Sequence, residues 1–269
     1  KVLCYYESGA VDFFGPDVID INICTHINYA FFGINEEDGS LRPDRDDGLL
    51  RQLSGLKSKN PNLKLVISVG GWGEDPTRFS HVAADAEKKA KMAESALWYL
   101  QTYNFDGIDI DWEYPGRRGG TPVDKENFID MLKVLRNKFD ENGGYFGTAP
   151  EKITLGLGFY GHSYTLADPN DHGIGAPTTG AGTENGNYNN VCTLSDDWTE
   201  VWDDEQEVPY KYSGDQWIGY DNPKSIGLKV QYAKSRNLGG VMMWAVDLDD
   251  GDGSCGAKNA LLEAIKDNL

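Results

Sequence analysis

Three carboxylates spaced two residues apart, Asp109, Asp111 and Glu113, lie in the segment FDGIDIDWEYP at residues 105–115. Side chains of a strand alternate between faces, so the spacing puts these acids on one side and Ile108, Ile110 and Trp112 on the other. Three carboxylates held that close are costly to bury unless they are protonated, hydrogen-bonded or bound to a cation. Like-charge crowding raises at least one pKa in such a stack and keeps a carboxyl near its end as a proton donor close to neutral pH. The chemistry this allows is general acid–base catalysis. A solvated acidic edge and a Mg²⁺ or Ca²⁺ site are the competing readings. No phosphate-binding glycine loop with a lysine accompanies the acids, and the apolar strand context followed by Tyr-Pro favours catalysis.

The elements that position the acids are legible as alternation. Strand-like runs occur at residues 2–7, 26–34, 64–71, 107–114, 152–160 and 240–248, mostly as continuous apolar stretches suited to parallel strands covered on both faces. Helical patterns fall between and after them at 47–59, 84–103, 124–139, 223–236 and 258–268. Strand and helix in alternation imply a parallel α/β fold. Glu113, last on its strand, is then best placed to meet a ligand, because parallel barrels keep their sites at the C-terminal strand ends. The other strand ends are aromatic: Tyr5 and Tyr6, Tyr29 and Phe31, Trp72 after Gly70-Gly71, Tyr160, and Trp244. Singly, each such ring is core material; together they suggest a groove for a ligand with flat apolar faces and polar edges, as sugars have.

Strand starts at 152 and 240 leave an 88-residue interval. Within it, residues 165–222 lack a helical period but carry Trp198, Trp202, Tyr210, Tyr212, Trp217 and Tyr220, too much aromatic surface for a solvated loop. This stretch is read as an α+β insertion lobe, with the barrel domain made of 1–164 and 223–269. Only six strands are found.

A net charge of −18, from 25 Lys and Arg against 43 Asp and Glu, argues against nucleic acid and anionic membranes as partners. Acidic runs at 44–47, 196–207 and 247–252 read as solvated loops. With 39% hydrophobic residues the chain is not a disordered acidic protein, and no apolar run approaches the roughly 20 residues of a membrane span. Cys4, Cys24, Cys192 and Cys255 have no zinc or redox spacing. They suit either two disulfides in a secreted protein, pairing Cys4 with Cys24 and Cys192 with Cys255, or four buried thiols. Lys1 leads straight into a strand, so any signal peptide is expected to be already removed or never present.

At this point the sequence resembles glycoside hydrolase family 18, the chitinases and chitinase-like proteins. The resemblance rests on residues 105–115, on 64–72 (KLVISVGGW), and on 24–32 (CTHINYAFF). It continues through 152–164 (KITLGLGFYGHSY), 216–224 (QWIGYDNPK) and 239–250 (GGVMMWAVDLDD). It implies an α/β fold, a secreted, extracellular (β/α)8 TIM barrel with a small α+β insertion after strand seven, disulfide-bonded as paired above. The implied partner is chitin or N-acetylglucosamine oligosaccharides, met by a monomer that needs no cofactor and no metal. In the implied retaining, substrate-assisted mechanism Glu113 protonates the glycosidic oxygen, Asp111 orients the substrate's acetamido group, and Asp109 shares a proton with Asp111. Tyr5, Phe31, Trp72, Tyr114, Tyr160 and Trp244 match positions that line the family's groove.

Two departures stand out. The family's fifth and sixth strands, with a Met-x-Tyr-Asp block that holds the N-acetyl group, are not found; only residues 140–151 separate the fourth helix from the next strand. A single βαβ unit takes about 30 residues or more. Either a further stretch belongs at this point or the barrel is shortened, and an intact mass above 29.8 kDa distinguishes the first from the second. His162 stands where the family commonly has Arg. A non-catalytic chitin-binding lectin of the same family is therefore the alternative to a chitinase.

Overall fold

The computed structural model describes residues 1–143, 154–235 and 238–269. In chain order the first strands and helices are β1 (Val2–Glu7), β2 (His26–Ile34), β3 (Leu41–Pro43), α1 (Asp47–Gly55), β4 (Lys64–Gly70), α2 (Pro76–Ala84), α3 (Ala86–Tyr103), β5 (Gly107–Asp111) and α4 (Asp124–Asp140). They are followed by β6 (Thr154–Gly158), β7 (His162–Leu166), β8 (Thr178–Ala181), α5 (Tyr188–Val191), β9 (Thr199–Asp203), β10 (Val208–Ser213) and β11 (Gln216–Gly219). The chain ends with α6 (Pro223–Ser235), β12 (Gly240–Trp244) and α7 (Ala260–Asn268). Two compact units emerge: one holds the described residues of Tyr6–Asp17 and Cys24–Pro150, the other those of Lys1–Tyr5, Val18–Ile23 and Glu151–Leu269.

In the first unit β2, β4 and β5 run parallel, and β3 adds antiparallel to the end of β2. Strand β4 is buried at six successive positions, as a strand covered on both faces must be. Helices cover it through regular apolar stripes, with Phe79, Val82 and Ala83 on α2 and Met92, Ala96, Leu100 and Tyr103 on α3. The helix expected at 84–103 is α3, beginning at Ala86, and a further helix, α2, precedes it. Asp85 has extended backbone and its carboxylate accepts from the amides of Glu87 and Lys88 at 2.8 and 3.0 Å, so it ends α2 and caps α3. The periodicity alone did not register α2, which opens on the Asp75-Pro76 start signal, the Asp75 carboxylate accepting from the Thr77 amide.

Helix α4 buries Met131, Leu135 and Phe139 on one flank, while Ile129 and Leu132 on another stay 56% and 40% exposed. Among the described residues β5 pairs with β4 alone. In a barrel, the strand and helix that follow α4 would cover both this edge and this flank.

In the second unit β1, β12 and β6 are parallel, with Leu3 opposite Met242 and Trp244 opposite Gly158. The lobe between β6 and α6 is a five-stranded antiparallel sheet in the order β8, β7, β11, β10, β9, beginning at His162. Its aromatics pack on one another, as their number required: Tyr210 stacks on Trp217 at 5.3 Å and His172 on Tyr212 at 3.7 Å. Cys192 is bonded to Cys255 with Cα atoms 5.8 Å apart; Cys4 and Cys24 are likewise disulfide-bonded, so no cysteine is free. The fold is α/β, of the (β/α)8 barrel class with an α+β insertion, and barrel strands five and six are not found among the described residues. No helix among them is long and apolar enough to cross a membrane.

One expectation is overturned outright. The acidic run at 247–252 is not a solvated loop, since Asp247, Asp249 and Asp250 are each 1% exposed. Two of the three carboxylates turn back onto the chain: Asp249 accepts from the amides of Leu261 and Leu262 at the start of α7, and Asp250 from those of Gly253, Ser254 and Cys255. The Asp249 and Asp250 carboxylates survive burial here because they answer backbone donors that would otherwise be orphaned. In the run at 44–47 the acids stay exposed, and Asp44 accepts from the side-chain hydroxyls of Tyr29, at 2.7 Å, and of Ser8.

Candidate functional site

The acidic segment is shorter as a strand than expected. Strand β5 stops at Asp111, so Glu113 is not the last residue of the strand but lies two residues past it. Alternation survives the strand end: Trp112 is 5% exposed and stacks on Phe79 of α2 at 5.2 Å, with Phe128 of α4 edge-on at 5.5 Å. Anchoring that ring among helices fixes the direction of its neighbours, and Asp109, Asp111 and Glu113 all remain partly exposed.

Next to β5, strand β4 ends in Gly70-Gly71, and both glycines are required. Gly70 has φ of +112°, and a Cβ there would lie 2.2 Å from the Asp111 carbonyl oxygen; one on Gly71 (φ +79°) would meet the Phe31 ring at 2.5 Å. The Gly71 amide donates to the Asp111 carbonyl at 2.9 Å. This close approach brings Trp72 out beside the acidic strand with 66% of its surface exposed; Tyr114, just past Glu113, is 49% exposed.

Burial pushes the Asp111 carboxyl up to about 6, and the charges of Asp109 and Glu113 add to the shift. Burial is therefore the largest single cause, with the like-charge crowding expected from the sequence adding to it, and the group they act on is the middle carboxylate. At neutral pH and slightly below, this position holds a carboxyl that exchanges its proton readily.

Two residues of this unit escaped sequence reasoning. Asp124, 1% exposed, gathers the loop after Glu113 around its carboxylate, accepting from the amides of Gly116 and Thr121 and the hydroxyls of Thr121 and Ser80. Burial works to raise its pKa, but these bonds outweigh burial and hold it below the usual carboxylate range. Arg118, on the same loop, places its guanidinium carbon 4.1 Å from the centre of the Trp72 ring. Nothing in a Gly-Arg-Arg-Gly turn signals that contact in advance.

In the other unit Trp244 ends β12 and Tyr5 lies on β1, their rings 5.2 Å apart and tilted by 48°. Tyr160, past β6, is 40% exposed and meets His162 edge-on at 5.5 Å. Of the other strand-end aromatics, Phe31 is partly exposed, whereas Tyr6 and Tyr29 are fully buried and belong to the core. Non-proline cis peptide bonds occur at Ala30–Phe31, Glu113–Tyr114 and Trp244–Ala245. The one cluster of metal-ligand type among the described residues, Cys192, Asp250 and Cys255, has its two sulfurs joined in the disulfide.

Comparison with known proteins places these features. The family model "Glycosyl hydrolases family 18" matches residues 1–146 and 144–249. The chitotriosidase-1 of Mus musculus is 30% identical over 94% of this chain and 74% of its own length. An endochitinase of Manduca sexta is 28% identical over the whole chain and 67% of its own length. That match runs over 373 residues against 269 here, leaving at least 104 positions opposite nothing in this chain. The two family-model matches meet at residues 144–146, the interval too short to hold two βα units. Among solved structures, a group IV chitinase of Ostrinia furnacalis in complex with allosamidin is similar with a TM-score of 0.92 and 31% identity, covering 99% of this chain and 97% of that one. By the extent of these matches, this chain is a glycoside hydrolase and belongs to glycosyl hydrolases family 18.

Proposed function

We propose that the protein hydrolyses β-1,4-linked N-acetylglucosamine polymers, with retention of configuration and without an enzyme nucleophile. The observation that carries this reading is the middle carboxyl of the acidic segment, Asp111, raised to about 6 between two other acids and beside exposed aromatic rings. Asp111 accepts a hydrogen bond from the N–H of the substrate's acetamido group and turns the acetamido carbonyl toward the anomeric carbon. That oxygen attacks as Glu113 gives its proton to the glycosidic oxygen; the leaving sugar departs and a cyclic oxazolinium ion remains. Asp111 and Asp109 between them hold the negative charge that the developing cation needs. Glu113, now a carboxylate, takes a proton from water as the water attacks the anomeric carbon and reopens the ring. Trp72 and Tyr114 offer apolar ring faces to sugar C–H groups. Oxidised cysteines support a site of action outside the cell.

The test is release of a chromophore from an N,N′-diacetylchitobioside by wild-type protein and by Glu113→Gln. Turnover abolished by the substitution is the expected result. A second reading, a chitin-binding lectin, is favoured by one observation: no Met-x-Tyr-Asp block occurs in the sequence. Binding of the oligosaccharide with no turnover by the wild type would refute the enzyme reading and leave the lectin.

A further inference from the structure

An indole that projects from a strand end into solvent keeps several rotamers, and a ligand that stacks on it must freeze them, which weakens binding. Trp72, 66% exposed, is such a ring, yet it is not left to rotate. The Arg118 guanidinium lies over one face of the indole, its carbon 4.1 Å from the ring centre. Nη1 of Arg118 donates to the carbonyl oxygens of Trp72 and Glu113 at 3.2 and 3.1 Å, and Nη2 to that of Trp72 at 3.2 Å. One planar group thus covers the indole while its N–H fork bonds the main chain at both Trp72 and Glu113, a combination that an ammonium cannot reproduce.

The loop beneath it is built to hold that group still. Arg118 has φ of +50°, a conformation uncommon for a residue with a side chain. It is flanked by the Arg117 amide donating to the Tyr114 carbonyl and the Gly120 amide to the Arg117 carbonyl, both at 3.0 Å. Asp124 anchors the loop on both sides of it, at Gly116 and Thr121. Arg118 itself is exposed, so the energy of this arrangement is not spent on the core.

We propose that Arg118 is a positioning residue: it holds the Trp72 indole as a preformed platform for a sugar ring and ties that platform to the main chain of Glu113. The inference rests on Trp72 being a sugar-binding surface. Immobilising one rotamer-rich side chain in advance is worth about two- to tenfold in affinity.

The experiment compares Arg118→Met, Arg118→Lys, Trp72→Ala and the Trp72→Ala/Arg118→Met pair. Kd for the N-acetylglucosamine tetramer is measured by calorimetry in a Glu113→Gln background, and KM and kcat in proteins with Glu113 intact. Arg118→Met should raise Kd and KM about two- to tenfold while kcat changes less than about twofold, with Arg118→Lys in between. In the Trp72→Ala background Arg118→Met should add nothing. Thermal midpoints should stay near the parent's, because Arg118 is exposed. The proposal is overturned if Arg118→Met weakens binding by the same factor with and without the indole, or leaves Kd unchanged where Trp72→Ala raises it. A parent that neither binds nor cleaves the oligomer defeats the proposed function itself. An unaltered Kd in Trp72→Ala defeats only the platform, and the inference with it.

Discussion

Replacing Asp111 by Asn should make the protein more stable at neutral pH while destroying its activity. The carboxyl titrates near 6 in the folded chain against 3.8 when unconstrained. Between about pH 4 and 6 the native state therefore binds more protons at this site than the unfolded chain does, and stability falls as pH rises through that window. Below it both states are protonated and the site costs nothing; above it the full cost is present. A shift of roughly two pH units corresponds to about 3 kcal/mol at 1.36 kcal/mol per unit. The site is partly open to water, and solvent screening reduces this to about 1–2 kcal/mol. Asparagine keeps the shape and loses the charge, so Asp111→Asn should gain about 1–2 kcal/mol at pH 7.5, or roughly 2–8 °C in Tm. At pH 4 the gain should vanish. Urea unfolding of both proteins at the two pH values reads the difference directly. Hydrolysis should fall about 100-fold or more, as when a group that stabilises transition-state charge is removed. A stability gain equal at pH 4 and pH 7.5, or a loss at pH 7.5, would refute burial of a charged Asp111 as the source of the shift.

Two further outcomes follow from the supports of the site. The Cys192–Cys255 bond closes a loop of 63 residues, for which chain entropy gives about 4 kcal/mol, so the Cys192→Ser/Cys255→Ser pair should lower the urea midpoint by a corresponding amount with little change in KM. Asp124→Ala removes an acceptor shared by four donors and should cost about 2–4 kcal/mol. Because the loop it gathers carries Arg118, the same variant should also raise KM, whereas an unchanged KM would separate the loop's order from substrate binding.

The parts of the fold governed by local pattern were legible in advance. Strand β4 is a mostly apolar run of seven residues that ends on Gly70, and the missing side chain there lets the chain pass so close to Asp111. The Asp109–Asp111–Glu113 spacing, the aromatic strand ends and an aromatic-rich insertion were visible for the same reason: composition and period report which residues must be buried, and on which face. Helix boundaries were less legible, since the break at Asp85 depends on one carboxylate choosing backbone amides over solvent. The shortage of strands was also countable in the sequence. Its physical trace, the exposed flank of Ile129 and Leu132 on α4, is a property of the tertiary structure.

By itself, then, the sequence determined the α/β class, the row of acids and the rings that accompany them, because two-residue and helical periods are local properties of the chain. Tertiary structure alone decided where strand β5 ends, that burial is the largest single cause raising Asp111, and that Asp249 and Asp250 are core acids rather than surface ones. It also decided that Arg118 lies on Trp72, 46 residues away. Solvent exposure and through-space contact are set by residues distant in the chain, and no local pattern encodes them.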